Sequence, residues 1–204
     1  MNSVDALELL DWKRRIFAAY AEIRSSDNPE RAWAEWRRTR DALFRNHPQS
    51  PIPSAERSSF GALTFHDYNP AYRALADIRS TEERTYEIAT SGEISMTFTR
   101  FAYADLRLSG YDVSLELYWL DAYGGGLFLP FRDGTSGDTT YGAGRYLLDT
   151  VKGADLGMEG GALVLDFNFA YNPSCSYDPR WVCPLAPPPN RLGEPIEAGE
   201  KHTG

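Results

Sequence analysis

The chain has 204 residues, of which 42% are hydrophobic and 13% aromatic, a size that suits one domain with a real core. Its 29 acidic residues outnumber 21 basic ones to give a net charge of −8, which argues against a nucleic-acid surface, since duplex binding needs a basic patch to replace phosphate counterions. No stretch approaches the roughly 18 apolar residues of a membrane span, and MNSVDALELLDWKRR sets Asp5, Glu8 and Asp11 within its apolar pattern with bases after it, the reverse of a secretory signal, so a cytoplasmic protein is expected.

In chain order, Val4, Leu7, Leu10, Ile16, Phe17, Tyr20 and Ile23 recur at three- and four-residue spacing and predict an amphipathic helix. Asn28-Pro29 then supplies a cap and a first-turn proline, and Trp33, Trp36, Arg40, Leu43 and Phe44 form a second helical stripe that His47-Pro48 stops. The pair is read as a helical hairpin over residues 1–46 whose Trp stripe packs onto the body, while Arg37, Arg38 and Arg40 are read as a solvated face. Residues 47–59, with three Pro, read as an extended linker to a β-rich body over 60–204. Within that body FGALTF at 60–65 is expected to be a strand and PAYRALADI at 70–78 a short helix. Segments 85–90, 93–108 and 112–121 then predict a meander with turns at Ser91-Gly92 and Ser109-Gly110. After the link at Gly124-Gly125-Gly126, LFLPF, RYLLDTV and ALVLDFNF predict three further strands. The fold class expected is α+β, an N-terminal helical hairpin packed on a mainly antiparallel, strongly bent or barrel-like sheet.

Charged and apolar residues mix most closely from Leu127 to Lys201, where burying a polar group without a partner costs about 2–7 kcal/mol. Strand alternation puts Arg132 and Asp133 on opposite faces at the end of LFLPF, and sets Asp166 and Asn168 on one face of ALVLDFNF, about 7 Å apart and able to receive an Arg fork from Arg132 or Arg145. An internal Arg-carboxylate brace reads equally well. The loop RDGTSGDTTYGAGRY carries Thr135, Ser136 and Tyr141 between glycines, a setting for an anion nest completed by Arg145 or for an elaborate turn. It is not a P-loop or a dinucleotide fingerprint.

The Pro-rich loop YNPSCSYDPRWVCPL, with Tyr171, Asn172, Cys175 and Cys183, lies over the body as one wall of a pocket. Its two thiols are expected to be reduced, although a bridge is allowed. Neither their pairing with a His nor a Cys/His zinc site has supporting spacing, so no metal is predicted. Glu194, Glu197 and Glu200 near the C-terminus are read as solvated charge.

The words FLPFRDGTSGDTTYGAGRYL, LDFNFAYNPSCSY, CPL, NRL and IEAGEK, taken in order with DWKRRI and SPIPSAERSSFGALTFHDYNPAYR, resemble the bacterial and archaeal family catalogued as domain of unknown function 1684. The resemblance implies a small, free-standing, cytosolic protein and supplies no catalytic residue. APPPNRL departs from it, lacking the acid expected shortly before the Asn.

The function expected is binding of a small carboxylate or phosphate in a barrel-mouth pocket built from residues 132–146 and 166–183, with metal-independent hydrolysis or isomerisation as the reaction class to test. Arg132 and Arg145 hold the anion, Asp133 or Asp166 orients them or acts as base, Asn168 and Tyr141 hydrogen-bond the ligand, and the cysteine loop excludes water. The alternative is an interaction or scaffold protein meeting a partner or a second copy through Trp33 and Trp36, and a lesser one is a flavin held by its phosphate in a split barrel. No cofactor is otherwise predicted.

Overall fold

The computed structural model describes residues 2–121 and 123–202. Helix α1 (Ser3–Ser25) starts from a capping box in which the Asn2 side chain accepts from Asp5 N at 2.9 Å and Asp5 accepts from Asn2 N. Helix α2 (Pro29–Asn46) starts from Asn28, whose side chain accepts from Arg31 N, with Pro29 in the first turn. The Trp stripe of α2 packs inward as expected: Trp33 and Trp36 are 7% and 2% exposed, and the Trp36 ring lies 5.2 Å from Phe169 and 5.6 Å from Phe65. The Trp33 indole donates to the Asn168 carbonyl at 2.8 Å, tying hairpin to body. The stripe of α1 is buried only at Ile16, Ala19 and Tyr20, whereas Val4, Leu7, Leu10 and Phe17 lie open to water.

Seven strands follow: β1 (Arg73–Ala89), β2 (Ser95–Leu108), β3 (Tyr111–Leu120), β4 (Leu127–Phe131), β5 (Arg145–Asp149), β6 (Met158–Glu159) and β7 (Ala162–Asp166). They form one sheet in the order β5-β4-β3-β2-β1-β7-β6, antiparallel throughout. Ser109 and Gly110 both have positive φ, 48° and 93°, the conformation a two-residue hairpin needs, and they turn β2 into β3 where the sequence placed the turn. Register shifts in the β1–β2, β2–β3 and β4–β5 pairs mark irregularities of the kind that bend strands. The sheet ends at β5 on one side and β6 on the other, so it is open, and the barrel-like form of the expectation is corrected to a bent sheet.

Two local expectations are also corrected. PAYRALADI is helical only through the 3₁₀ turn Pro70–Tyr72. From Arg73 it is strand, because Ala74 and Ala76 alternate inward while Leu75 and Ile78 face out, and residues 73–76 pair with β7. FGALTF forms no strand; within it Phe65 makes a single bridge to Glu200. ALVLDFNF leaves the sheet at Asp166 and turns as 3₁₀ helix over Phe167–Phe169.

After β7 the chain is irregular yet repeatedly hydrogen-bonded to the body. Tyr171 and Tyr146 exchange backbone bonds at 2.9 and 3.0 Å, Leu185 N donates to Ala89 O at 2.8 Å, Leu192 N to Arg132 O at 2.8 Å, and Lys201 N to Thr64 O at 2.8 Å. No helix among the described residues is long and apolar enough to cross a membrane.

Candidate functional site

β5 opens with Arg145, directly opposite Phe131 at the end of β4, and this register aims its side chain into the core. The guanidinium is 0% exposed. It donates to Asp133 Oδ2 at 2.8 Å, to Ile196 O at 3.0 Å and to Ala198 O. Burial holds its pKa below the ordinary value, and Asp133 opposes that effect. The Asp133 Oδ1 atom accepts from Thr135 N at 2.8 Å, Thr135 Oγ1 at 2.6 Å and Ile196 N at 3.1 Å. The Gly-spaced loop forms no anion nest: it gives Asp133 only the amide and hydroxyl of Thr135, while the amides of Gly134, Gly137 and Gly144 donate to backbone carbonyls, so the reading as an elaborate turn holds. Thr135 O takes the amides of Asp138, Thr139 and Thr140, and Ser136 Oγ accepts from Asp133 N at 3.2 Å.

A second buried pair joins the hairpin to the C-terminal segment. Arg40 donates to Glu200 Oε2 at 2.7 Å, with its guanidinium carbon 5.0 Å from each of the Trp36, Phe44 and Tyr171 ring centres. Glu200 also accepts from Asn172 N at 3.1 Å and from the Tyr177 hydroxyl, which burial and Glu200 keep protonated far above the ordinary phenol range. The expectation of solvated charge at Glu200 is therefore corrected, as is that of a solvated Arg40. Both are buried; Arg40 falls on the Trp33, Trp36 and Leu43 stripe of α2, whereas Glu200 had no local signal in the sequence.

The residues singled out from sequence divide into two groups. Asp133, Thr135, Arg145, Asp166 and Asn168 are buried among internal partners. Asp166 and Asn168 touch, Asn168 Nδ2 donating to Asp166 Oδ1 at 2.7 Å, because the 3₁₀ turn replaces the extended spacing of about 7 Å. The Arg fork expected at Asp166 is not formed: Arg145 gives a single hydrogen bond to Asp133, and Asp166 takes the Tyr68 hydroxyl at 3.2 Å. Arg132 points to the opposite face from Asp133, as alternation predicts, half-exposed and without an ion pair among the described residues.

The second group lies at the rim. The Tyr141 hydroxyl stands 3.9 Å from Cys175 Sγ, with its ring 5.1 Å from that of His202. Tyr171 packs at 5.8 Å on Tyr146, and Asn172 donates to Lys201 O at 2.9 Å. Both cysteines are reduced. Among the described residues no three His, Cys, Asp or Glu side chains converge as a metal site.

Near this rim lies a cleft of about 380 Å³, bounded by Ile52 of the linker, by Phe60 and Leu63 just after it, and by Ser176, Tyr177, Lys201 and His202. Glu56 and Glu200 are its acids. Glu200 is neutralised by Arg40, and Lys201 makes no ion pair among the described residues. Buried polar atoms without a partner on this side include Ser176 Oγ in the cleft wall, Asn172 Oδ1, Nε of Arg40 and of Arg145, and Nε2 of His66, whose backbone N donates to Gly199 O. A larger groove of about 700 Å³ runs between the helices, but Glu8, Asp11 and Glu22 line it against one Arg15, a poor setting for an anion.

Fold and site define an α+β protein in which a helical hairpin covers an open antiparallel sheet and a C-terminal segment is locked down by two buried arginines. The chain belongs to the family described as Protein of unknown function (DUF1684), which matches residues 58–201. It is similar to an uncharacterized protein of Haloarcula marismortui known from a solution NMR structure, with 34% identity and a TM-score of 0.59 over 82% of this chain and 91% of that one. No curated protein matches it.

Proposed function

We propose that the protein binds a small anion of the carboxylate or phosphate class in the cleft between the linker region and the C-terminal segment. The observation that carries this reading is Lys201, a cation without an ion pair among the described residues, in the same cleft as the buried and unpartnered Ser176 hydroxyl. A bound oxyanion accepts from both, which removes the roughly 1–3 kcal/mol cost of leaving that hydroxyl unsatisfied. His202 adds a third donor and Phe60 and Leu63 an apolar wall. Arg145 serves as the brace of the site and does not touch the ligand, its two terminal nitrogens being held by Asp133 and the carbonyls of Ile196 and Ala198. The scaffold alternative loses its surface, since Trp33 and Trp36 are buried. A flavin phosphate falls within the same anion class.

The test is melting temperature against added inorganic phosphate and succinate at constant ionic strength. Both the wild-type rise and its loss in Lys201→Ala, with the unliganded melting temperature kept, are expected. A wild-type curve indifferent to both anions, or a Lys201→Ala curve that follows the wild type, refutes the proposal.

A further inference from the structure

The walls of the cleft that holds Lys201 come from distant parts of the chain. One is the turn that carries Glu56 and Phe60, closed by Glu56 N donating to Pro53 O at 2.9 Å and Ser59 N to Glu56 O at 3.1 Å, and the other is formed by Ser176, Tyr177 and Lys201. The Phe44 ring of α2 backs both walls, its centre 6.4 Å from that of Phe60 and 5.1 Å from that of Tyr177. Lys201 is fixed through its backbone, its N donating to Thr64 O at 2.8 Å and its O accepting from Asn172 Nδ2 at 2.9 Å. A carboxylate and an ammonium thus share one cleft, each carried on hydrogen-bonded backbone.

The two charges do not neutralise each other. Neither Glu56 nor Lys201 makes an ion pair among the described residues, so their charged atoms stand more than 4.0 Å apart within a space of about 380 Å³. The arginine next to Glu56 in the chain is engaged elsewhere, Arg57 donating to Ile52 O at 3.0 Å and to Pro48 O at 2.9 Å. The second acid of the cleft is closed to a further cation: Glu200 Oε2 takes Arg40 and the Asn172 amide, and Oε1 takes the Tyr177 hydroxyl. Glu56 and Lys201 are therefore the open charges of the cleft, one of each sign.

We infer that the ligand of this cleft is a zwitterion of the amino-acid class with an apolar side chain, an inference that rests on the anion reading above. The carboxylate of the ligand is the oxyanion that accepts from Lys201 and from the Ser176 hydroxyl, its ammonium donates to Glu56, and its side chain lies against Phe60 and Leu63. A plain carboxylate leaves Glu56 unpaired and sets a second negative charge in the same cleft, which weakens binding. A zwitterion pairs both protein charges and brings no net charge of its own. Selectivity then comes from Glu56, because a ligand without the ammonium leaves that partner unmet.

The experiment is isothermal titration of the full-length protein at neutral pH with leucine and with isocaproate, the same molecule without its ammonium. Wild type is expected to bind leucine at least about tenfold more tightly, as a charge-assisted hydrogen bond gained by one ligand alone requires. Glu56→Gln, an exposed position in the turn, is expected to abolish that preference, and Lys201→Ala to weaken both ligands. Equal binding of the two ligands by wild type, or a leucine preference retained in Glu56→Gln, overturns the inference while isocaproate binding leaves the anion reading standing. A wild type that binds neither ligand also overturns it, and the phosphate titration then reads separately whether the anion site itself has failed.

Discussion

Arg40 and Glu200 stand 160 residues apart in the chain and meet at 2.7 Å in an ion pair that water scarcely reaches, 7% and 1% of the two side chains being exposed. One belongs to the hairpin, ahead of the family-matched region, and the other to the end of that region. The pair makes the hairpin an integral part of the body.

Breaking this pair from one side leaves a buried charge uncompensated. Glu200→Gln and Arg40→Met are each expected to cost about 3–5 kcal/mol in chemical denaturation. The double variant Arg40→Met with Glu200→Gln is expected to lose clearly less than the sum, a coupling that a double-mutant cycle measures.

Arg145 separates bracing from ligand binding. Arg145→Ala removes the partner of Asp133 and the donors to Ile196 and Ala198, and is expected to destabilise by about 3–5 kcal/mol with or without phosphate. A variant with wild-type stability that had lost only its response to phosphate would return Arg145 to the ligand.

Gly199 has φ of +78°, and a Cβ there would stand 2.7 Å from the carbonyl oxygens of both Phe167 and Ala170. Left-handed strain of about 1–3 kcal/mol adds to that collision. Gly199→Ala is expected to lower the melting temperature strongly, whereas Gly61→Ala, with nothing within 4 Å, is expected to leave it near wild type.

His66 couples stability to pH. Burial first, then the charges of Lys201 and Arg145, hold its folded pKa below the ordinary 6.5. Above 6.5 the imidazole is neutral in both folded and unfolded chains and the contribution is complete. As pH falls below 6.5 the unfolded chain takes up the proton first, and stability drains away down to the folded pKa. The slope of unfolding free energy between about pH 7 and pH 5 is expected to flatten in His66→Gln.

What was legible in the sequence follows the range of the interactions. Asn28-Pro29, the helical spacing of Trp33 and Trp36, and Ser109-Gly110 act within a few residues, and each appears where expected. Residues 70–78 misled because Leu75 and Ile78 suggest helical spacing, while the inward pair Ala74 and Ala76 is inconspicuous by size and becomes strand only through pairing with β7 and β2. The brace at Arg145 was foreseen in kind, with Asp133 and Asp166 both open as the acid that orients it. Asp166 is taken by Asn168 and Tyr68 once the strand ends in a 3₁₀ turn, which leaves Asp133. Glu200 sits among glycine and charge that mimic a solvated tail, and only the distant Arg40 and Tyr177 reveal it as buried.

The C-terminal clamp also sets an order of events during synthesis. Arg145 emerges from the ribosome well before Ile196, Ala198 and Glu200, the residues that satisfy and cover it. Until those are translated, β5 carries a guanidinium with only Asp133 for company, and Arg40 waits without its carboxylate. Hairpin and sheet therefore cannot reach their final packing one after the other as the chain appears. They close together once elongation has passed Glu200.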